Sequence, residues 1–416
     1  MKSETSRLKK HAWAVLLSFG FVYLFLYNGR QNINLVFVNM AEYFNTSTTA
    51  IGVISSSLFW CYAIGQLING RLGSLFGHKR FMIIGIIMSI ILNIIISYQD
   101  SIPIIAILWG LNGFFQSMVW SNGIGVLNKW WPKEKRGLAT GIATAFSGLA
   151  QVITYLSVTI CLELKPELGW RAGFRYPIIP IIFMLIPFGL LFKNTPESIG
   201  LKPLKKEIKK SQDNRKFLQP YKILFSNKKM LLLCLISIIA GIGRYGLLTW
   251  IPTYFMEALG LSIKEGIFSS ILLPVGQAFS MFLFPFLTDK IFKGKREPML
   301  LLASVLTFCC MIIFPFIHTK TIASIIVLLA GIFSMITGVI WSIAGDIGGS
   351  EYTSTAAGIL DWAVYMGAAI QAFIFGSIKD VLGWNAIFIT IGCLYVIMLI
   401  LTNLLKRSKL NESTNI

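Results

Sequence analysis

The sequence predicts an all-α integral membrane protein of twelve spanning helices, arranged as two similar six-helix halves. Three observations carry that expectation. Of 416 residues, 55% are apolar and 13% charged, with a mean hydropathy of +0.71, whereas soluble domains carry roughly 25% charged residues. Apolar runs near the roughly 20 residues needed to cross the hydrocarbon recur along the whole chain. Landmarks also return about half a chain later. Arg30 and Arg244, both inside apolar runs, lie 214 positions apart; Arg80 and Arg296 follow matching loops 216 apart; Gly141 in A-T-G-I-A and Gly358 in A-A-G-I-L are 217 apart.

Taken in order, the spans fall at about 12–41, 50–72, 79–98, 103–129, 136–162, 170–193, 228–257, 264–289, 297–317, 321–346, 352–378 and 382–405. Gly65, Pro187, Pro274 and Gly276 lie inside them, and neighbouring helices can satisfy the backbone groups that such residues leave unpaired. The first run is too long for a signal peptide, contains Arg30 and lacks a small-residue cleavage pattern, so it is expected to stay as helix one. Between spans six and seven the chain turns polar and lysine-rich, with Lys205, Lys206, Lys209, Lys210, Arg215 and Lys216. The expected organisation is an N-terminal bundle over 1–193, a basic cytoplasmic linker over 194–227 and a C-terminal bundle over 228–416.

The formal net charge of +19 would suit a nucleic-acid partner if it were clustered on one face. It is not. With loops assigned alternately to the two sides, 29 of the 37 Lys and Arg residues fall on the side of the N-terminus and six on the other. The positive-inside rule then puts both termini in the cytoplasm and the chain in the cytoplasmic membrane, and the basic loops attract anionic headgroups as a by-product. Cys61, Cys161, Cys234, Cys309, Cys310 and Cys393 show no C-x-x-C spacing and read as small lipid-facing or core residues. His11, His78 and His318 have no metal-ligand spacing around them, so neither a metal nor another cofactor is expected. No G-x-x-x-x-G-K-[ST], G-x-S-x-G or H-E-x-x-H string appears, which argues against ATP-driven transport by this chain alone and against hydrolysis.

An arginine at mid-bilayer costs roughly 2.5–3.5 kcal/mol on insertion scales, so Arg30 and Arg244 need an interior partner or a hydrated cavity. Guanidinium is permanently charged, and its planar fork suits the oxygens of a phosphate, sulfonate or carboxylate. Snorkelling toward an interface, or a structural pair with a carbonyl or an acid, are the alternatives. Tyr23 and Tyr27 precede Arg30 by seven and three residues and share its helical face. Asp361 is an acid inside a span, either a proton carrier or a polar cavity residue; Asp346 stands near the end of another, where a structural role leads.

The string from Asn69 to Arg80, N-G-R-L-G-S-L-F-G-H-K-R, with its echo from Leu287 to Arg296, resembles the signature loop of the major facilitator superfamily. Gly73, Gly77, Lys79, Arg80, Asp289 and Arg296 are the conformational-loop residues this resemblance implies. The family usually has an Asp where Gly70 or Arg71 stands, and only the second copy keeps it, as Asp289. Further strings resemble the organophosphate:phosphate antiporter family within it. They are Phe115-Gln116-Ser117-Met118-Val119-Trp120 with Trp130-Trp131-Pro132-Lys133-Glu134-Lys135-Arg136-Gly137, then Thr195-Pro196-Glu197-Ser198-Ile199-Gly200-Leu201, and Arg244-Tyr245-Gly246-Leu247-Leu248-Thr249-Trp250-Ile251-Pro252-Thr253-Tyr254.

That resemblance, over roughly residues 20–400, implies two major-facilitator bundles. It implies Arg30 and Arg244 as the substrate arginines and puts Tyr62 and Tyr365 at positions of the family's cavity tyrosines; the rings of these two, and of Tyr23 and Tyr27 on the face of Arg30, are expected to line the path. The departures are informative. Gln66 stands where phosphate transporters carry a lysine, Ser147 where glycerol-3-phosphate members carry a histidine, and Gln31, Thr249 and Pro274 where the family has a lysine and two acids. A smaller or less charged organic anion is therefore credible, with Gln66, Ser147 and Asp361 tuning the choice.

The expected function is secondary active transport of an organic anion, such as a phosphate ester, in exchange for inorganic phosphate. Duplicated halves suit a midplane site opened alternately to each side, and the chain is expected to work as a monomer in the bilayer. Two other readings remain: a proton-coupled symporter of a carboxylate or sulfonate, and a transporter-like membrane sensor of a phosphorylated solute.

Overall fold

The computed structural model describes residues 2–132, 135–201, 219–293 and 295–413. Lys133 and Glu134 of the W-W-P-K-E-K-R-G string and most of the basic linker, 202–218, lie outside them. Every regular element among the described residues is helical. The first span begins as α1 (Lys2–Leu26) and gives way at Tyr27–Gly29 to a 3₁₀ turn. Arg30 and Gln31 lie between regular elements, their N–H groups both donating back to the Tyr27 carbonyl at 2.9 Å, before α2 (Asn32–Leu35) and α3 (Phe37–Tyr43) resume the run. Asn28 and Gly29, both weak helix formers, supply the local reason for the interruption.

The next spans are α4 (Thr48–Phe76), α5 (His78–Ile96), α6 (Ile102–Trp130) and α7 (Arg136–Leu164). The sixth span is segmented, with a 3₁₀ stretch at Pro166–Arg171, then α8 (Ala172–Arg175) and α9 (Ile179–Leu191). After α10 (Gln219–Phe225) come α11 (Lys228–Glu257), α12 (Ile263–Ser270), α13 (Leu272–Lys290) and α14 (Glu297–Ile313). The chain closes with α15 (Lys320–Ser334), α16 (Thr337–Leu382) and α17 (Trp384–Ser413).

Eleven helical stretches among the described residues are long and apolar enough to cross a membrane. The remaining expected span, the eighth, is α12 and α13 meeting at Ile271. Pro274 has no N–H to offer the Ser270 carbonyl four residues back, which weakens the ladder at that junction. α16 carries the end of the tenth span and all of the eleventh, where the sequence suggested an intervening loop. That segment holds no proline to interrupt the ladder.

The chain forms two compact units: Met1–Ile33 with Ile64–Lys216, and Asn34–Ala63 with Phe217–Ile416. The first is built around a core that includes Val15, Phe19, Val22, Met82, Val126 and Trp130. Glycines let its helices approach closely. A β-carbon on Gly123 of α6 would fall 2.2 Å from the Phe19 ring of α1, and one on Gly85 of α5 would fall 2.6 Å from the Phe115 carbonyl of α6.

In the second unit α11 packs along α16, α14 along α17 and α13 along α15. The segment 34–63 joins this unit through side chains: Phe37 stacks edge-on against Trp250 at 5.8 Å, and Lys379 donates to Thr48 Oγ1 and to Glu257 at 3.2 Å. Large apolar side chains such as Phe183, Ile186 and Leu190 of α9 and Phe279 of α13 are exposed, as a lipid-facing surface requires.

The α11–α16 contact has no room for a side chain at its crossing. A β-carbon on Gly241 would lie 2.0 Å from the Val364 carbonyl oxygen, and one on Gly367 2.1 Å from that of Ile238. Gly241→Ala and Gly367→Ala are each expected to destabilise the fold by about 1–3 kcal/mol through overpacking, read as a lowered midpoint of thermal unfolding in detergent. An unchanged midpoint in both variants would refute this account of the crossing.

Candidate functional site

In the first unit the interruption of the first span sets up a polar node. The Gly29 carbonyl accepts three hydrogen bonds, from Asn112 Nδ2 at 2.7 Å, Gln116 Nε2 at 2.8 Å and Asn93 Nδ2 at 3.2 Å. Gln116 is thereby oriented, and its other end accepts a hydrogen bond from Arg30 Nε at 2.7 Å. The Ser89 hydroxyl completes the network, donating to Asn112 Oδ1 at 2.6 Å and accepting from Gln116 Nε2 at 2.9 Å.

Arg30 is only 1% exposed. Its guanidinium carbon lies 4.8 Å from the Tyr27 ring centre and 5.8 Å from that of Tyr23, and Tyr23 leans on Trp120 at 4.8 Å. A desolvated cation over an aromatic face gains about 2 kcal/mol. The predicted sharing of one face by Tyr23, Tyr27 and Arg30 is thus realised, although the chain leaves helical geometry at Arg30 itself.

Ser147 and Gln66 are buried in the same unit, on α7 and α4. One turn beyond Gln66, Asn69 donates to Ser117 Oγ at 2.6 Å, and Asn122 returns a bond to the Asn69 carbonyl at 3.1 Å. Seven residues beyond Ser147, Thr154 donates to Asn28 Oδ1 at 2.9 Å, which ties α7 to the turn that precedes Arg30.

In the second unit Arg244 is buried near the middle of α11, its guanidinium carbon 4.9 Å from the Tyr245 ring centre. Tyr245 heads an aromatic cluster: it lies 5.5 Å from Tyr365 and 5.2 Å from Phe59, and Tyr365 packs tilted against Tyr62 at 4.2 Å. Asp361, one turn before Tyr365 on α16, is half-buried. Thr249, one of the neutral replacements, accepts a hydrogen bond from Gln371 Nε2 at 3.3 Å, and Trp250 donates to the same amide's oxygen at 3.1 Å. A neutral amide meets both residues at that position of α11.

The signature loop of the first unit is a structural clamp. Gly77 has φ +87°, a region L side chains avoid, and a β-carbon on Gly73 would run into the Asn122 side chain. His78 Nδ1 bonds Asn122 Oδ1 at 2.7 Å, the Lys79 backbone N–H donates to Asn194 Oδ1 at 2.8 Å, and Lys79 Nζ donates to the Gly189 carbonyl. Arg80 is exposed and Arg296 half-buried. Asp289 and Asp346 sit on helices, with side chains outside the described residues.

Sequence reasoning missed the neutral residues that hold the site. Gln116 was visible only as a motif letter, and Asn28, Ser89, Asn93, Asn112 and Thr154 not at all. Their signal was present, because an amide inside an apolar run must find a partner within the protein.

A family model described as the Major Facilitator Superfamily matches residues 19–370. The chain is similar to a probable hexose phosphate transport protein of Chlamydia pneumoniae, 24% identical over 95% of this chain and 92% of the relative. It is also similar to a glycerol-3-phosphate transporter of Bacillus subtilis, 26% identical over 85% of this chain and 83% of the relative. Its fold matches the crystal structure of a bacterial homologue of the human lysosomal transporter Spinster, with a TM-score of 0.82 at 15% identity, covering 96% of this chain and 98% of that one. The first helix interrupted beside a buried arginine, the glycine-bearing loop and this breadth of likeness converge: the chain belongs to the major facilitator superfamily, on its organophosphate:phosphate antiporter-like side.

Proposed function

We propose that this protein exchanges a phosphorylated or similarly anionic organic solute for inorganic phosphate across the cytoplasmic membrane, as a monomer with both termini in the cytoplasm. Arg30 and Arg244 bind the anionic group. Reorientation between the two access states is fast only when the arginines are neutralised, which couples one flux to the other. Tyr23, Tyr27, Tyr62 and Tyr365 line the path, Gln66 and Ser147 add neutral hydrogen bonding, and Asp361 tunes specificity.

The observation that carries this reading is the support of Arg30. Its Nε is consumed by Gln116, itself fixed by the Gly29 carbonyl and Ser89. An arginine held from behind keeps its terminal nitrogens in a set direction, which is the pre-organisation that bidentate anion binding exploits. Arg244, stacked on Tyr245 and on the same turn as the R-Y-G string of the resembled family, is its counterpart. The transport of phosphate esters by relatives supports an anion of that class.

Proteoliposomes loaded with inorganic phosphate provide the test. Exchange of external labelled phosphate is expected in the native protein. Arg30→Lys or Arg244→Lys, which keep the charge and lose the fork, should lower it by at least tenfold. Uptake driven by a pH gradient without internal phosphate would instead indicate proton symport through Asp361, and binding with negligible flux would indicate a sensor.

Gln116→Leu removes the acceptor behind Arg30 and leaves the anion-facing nitrogens in place. A hydrogen bond to a charged group is worth about 1.5–3 kcal/mol, so the apparent affinity for phosphate should fall by about tenfold or more. Unchanged affinity in a well-folded Gln116→Leu protein would remove Gln116 from the positioning role.

A further inference from the structure

The tenth span is interrupted within its length. α15 ends at Ser334, Met335 departs from helical geometry at φ −87°, ψ 66°, and α16 starts only at Thr337. Non-helical backbone at membrane depth is tolerated where protein buries it or where it lines a polar cavity, and interrupted helices are favoured places for ligand sites in carriers.

α13 lies against this interruption. A β-carbon on Gly276 would fall 2.3 Å from the Leu328 carbonyl, and one on Gly331 2.3 Å from the Leu273 carbonyl. The Ser280 hydroxyl reaches the Met335 carbonyl at 3.5 Å. Leu273, Gly276 and Ser280 thus mark the face that α13 turns toward α15. Gln277, four residues after Leu273 and three before Ser280, stands on that face. Across from it, Ser334 follows Gly331 by three residues.

Gln277 is fully buried, yet neither Nε2 nor Oε1 has a hydrogen-bond partner among the described residues. Ser334 is 1% exposed, and its hydroxyl is likewise without one. Two unmet polar groups flanking one helix break are costly in a membrane protein unless something else meets them. The chemistry of that ligand is constrained. A cation would satisfy the amide oxygen and leave the N–H groups, an anion the reverse, whereas an alcohol hydroxyl both donates and accepts.

We infer that Gln277 and Ser334, at the break between α15 and α16, form a subsite that binds a hydroxyl group of the carried solute and so determines specificity for its neutral part. α11, which bears Arg244, packs against both α13 and α15. The subsite therefore belongs to the unit that presents one of the two anion-binding arginines. This inference rests on the transport reading above.

The test compares two esters of equal charge and carbon chain, glycerol-3-phosphate and n-propyl phosphate, by their inhibition of phosphate exchange in proteoliposomes. The native protein is expected to prefer the hydroxylated ester by about tenfold. In Gln277→Leu and Ser334→Ala that preference should collapse to within about twofold, with n-propyl phosphate inhibiting as before; Gln277→Met serves as a near-isosteric control for packing. A preference retained in Gln277→Leu, or equal weakening toward both esters, would overturn the subsite and leave phosphate exchange standing. The same holds for a native protein without preference, the result expected if water alone fills the break, and for sodium-dependent exchange lost in Gln277→Leu, the result expected of a cation site. Failure of the native protein to exchange phosphate at all would defeat the transport reading, and this inference with it.

Discussion

A guanidinium does not give up its proton at any physiological pH, so a membrane protein that buries one must surround it with acceptors, π faces or a hydrated cavity. The first unit is organised around that constraint. The first helix stops at Gly29, the freed carbonyl collects three side-chain amides, and one of them turns its oxygen to Arg30. Tyr27 and Tyr23 supply ring faces, 4.8 Å and 5.8 Å from the guanidinium carbon.

The neutral replacements fit the same logic. Where the resembled family places charged partners, this chain has Gln31, Gln66, Ser147, Thr249 and Pro274. Losing cationic and acidic members together avoids stranding an isolated charge, the costly outcome when only one partner of a buried pair is removed. At Thr249 the polar contact is a neutral one, from Gln371. Asn112, Gln116, Ser89 and Gln371 hold their neighbours through amides and a hydroxyl, which cost less to desolvate than ions do.

Much of this was legible in the amino acids. Span positions follow from hydropathy, and the buried arginines from their cost in an apolar run. The face shared by Tyr23, Tyr27 and Arg30 follows from helical spacing. What was hidden are the interruptions. Nothing local distinguishes Met335-Ile336 from the rest of the tenth span, and the split at Ile271 becomes readable only when Pro274 is matched to the carbonyl of Ser270. The partners of Gly29 come from three residues between 64 and 87 positions away, a pairing set by packing rather than by any local pattern. The assignment of 34–63 to the second unit is likewise tertiary: Phe37, Thr48 and Tyr62 are unremarkable until their neighbours Trp250, Lys379 and Tyr365 are known.

Calorimetric titration of inorganic phosphate into the purified protein addresses the central claim most directly, because it isolates anion binding from translocation. Saturable binding is expected for the native chain, with loss of that signal in Arg30→Gln and in Arg244→Gln while thermal unfolding midpoints are kept. Undiminished phosphate binding in both variants would contradict the claim that these guanidinium groups hold the anion.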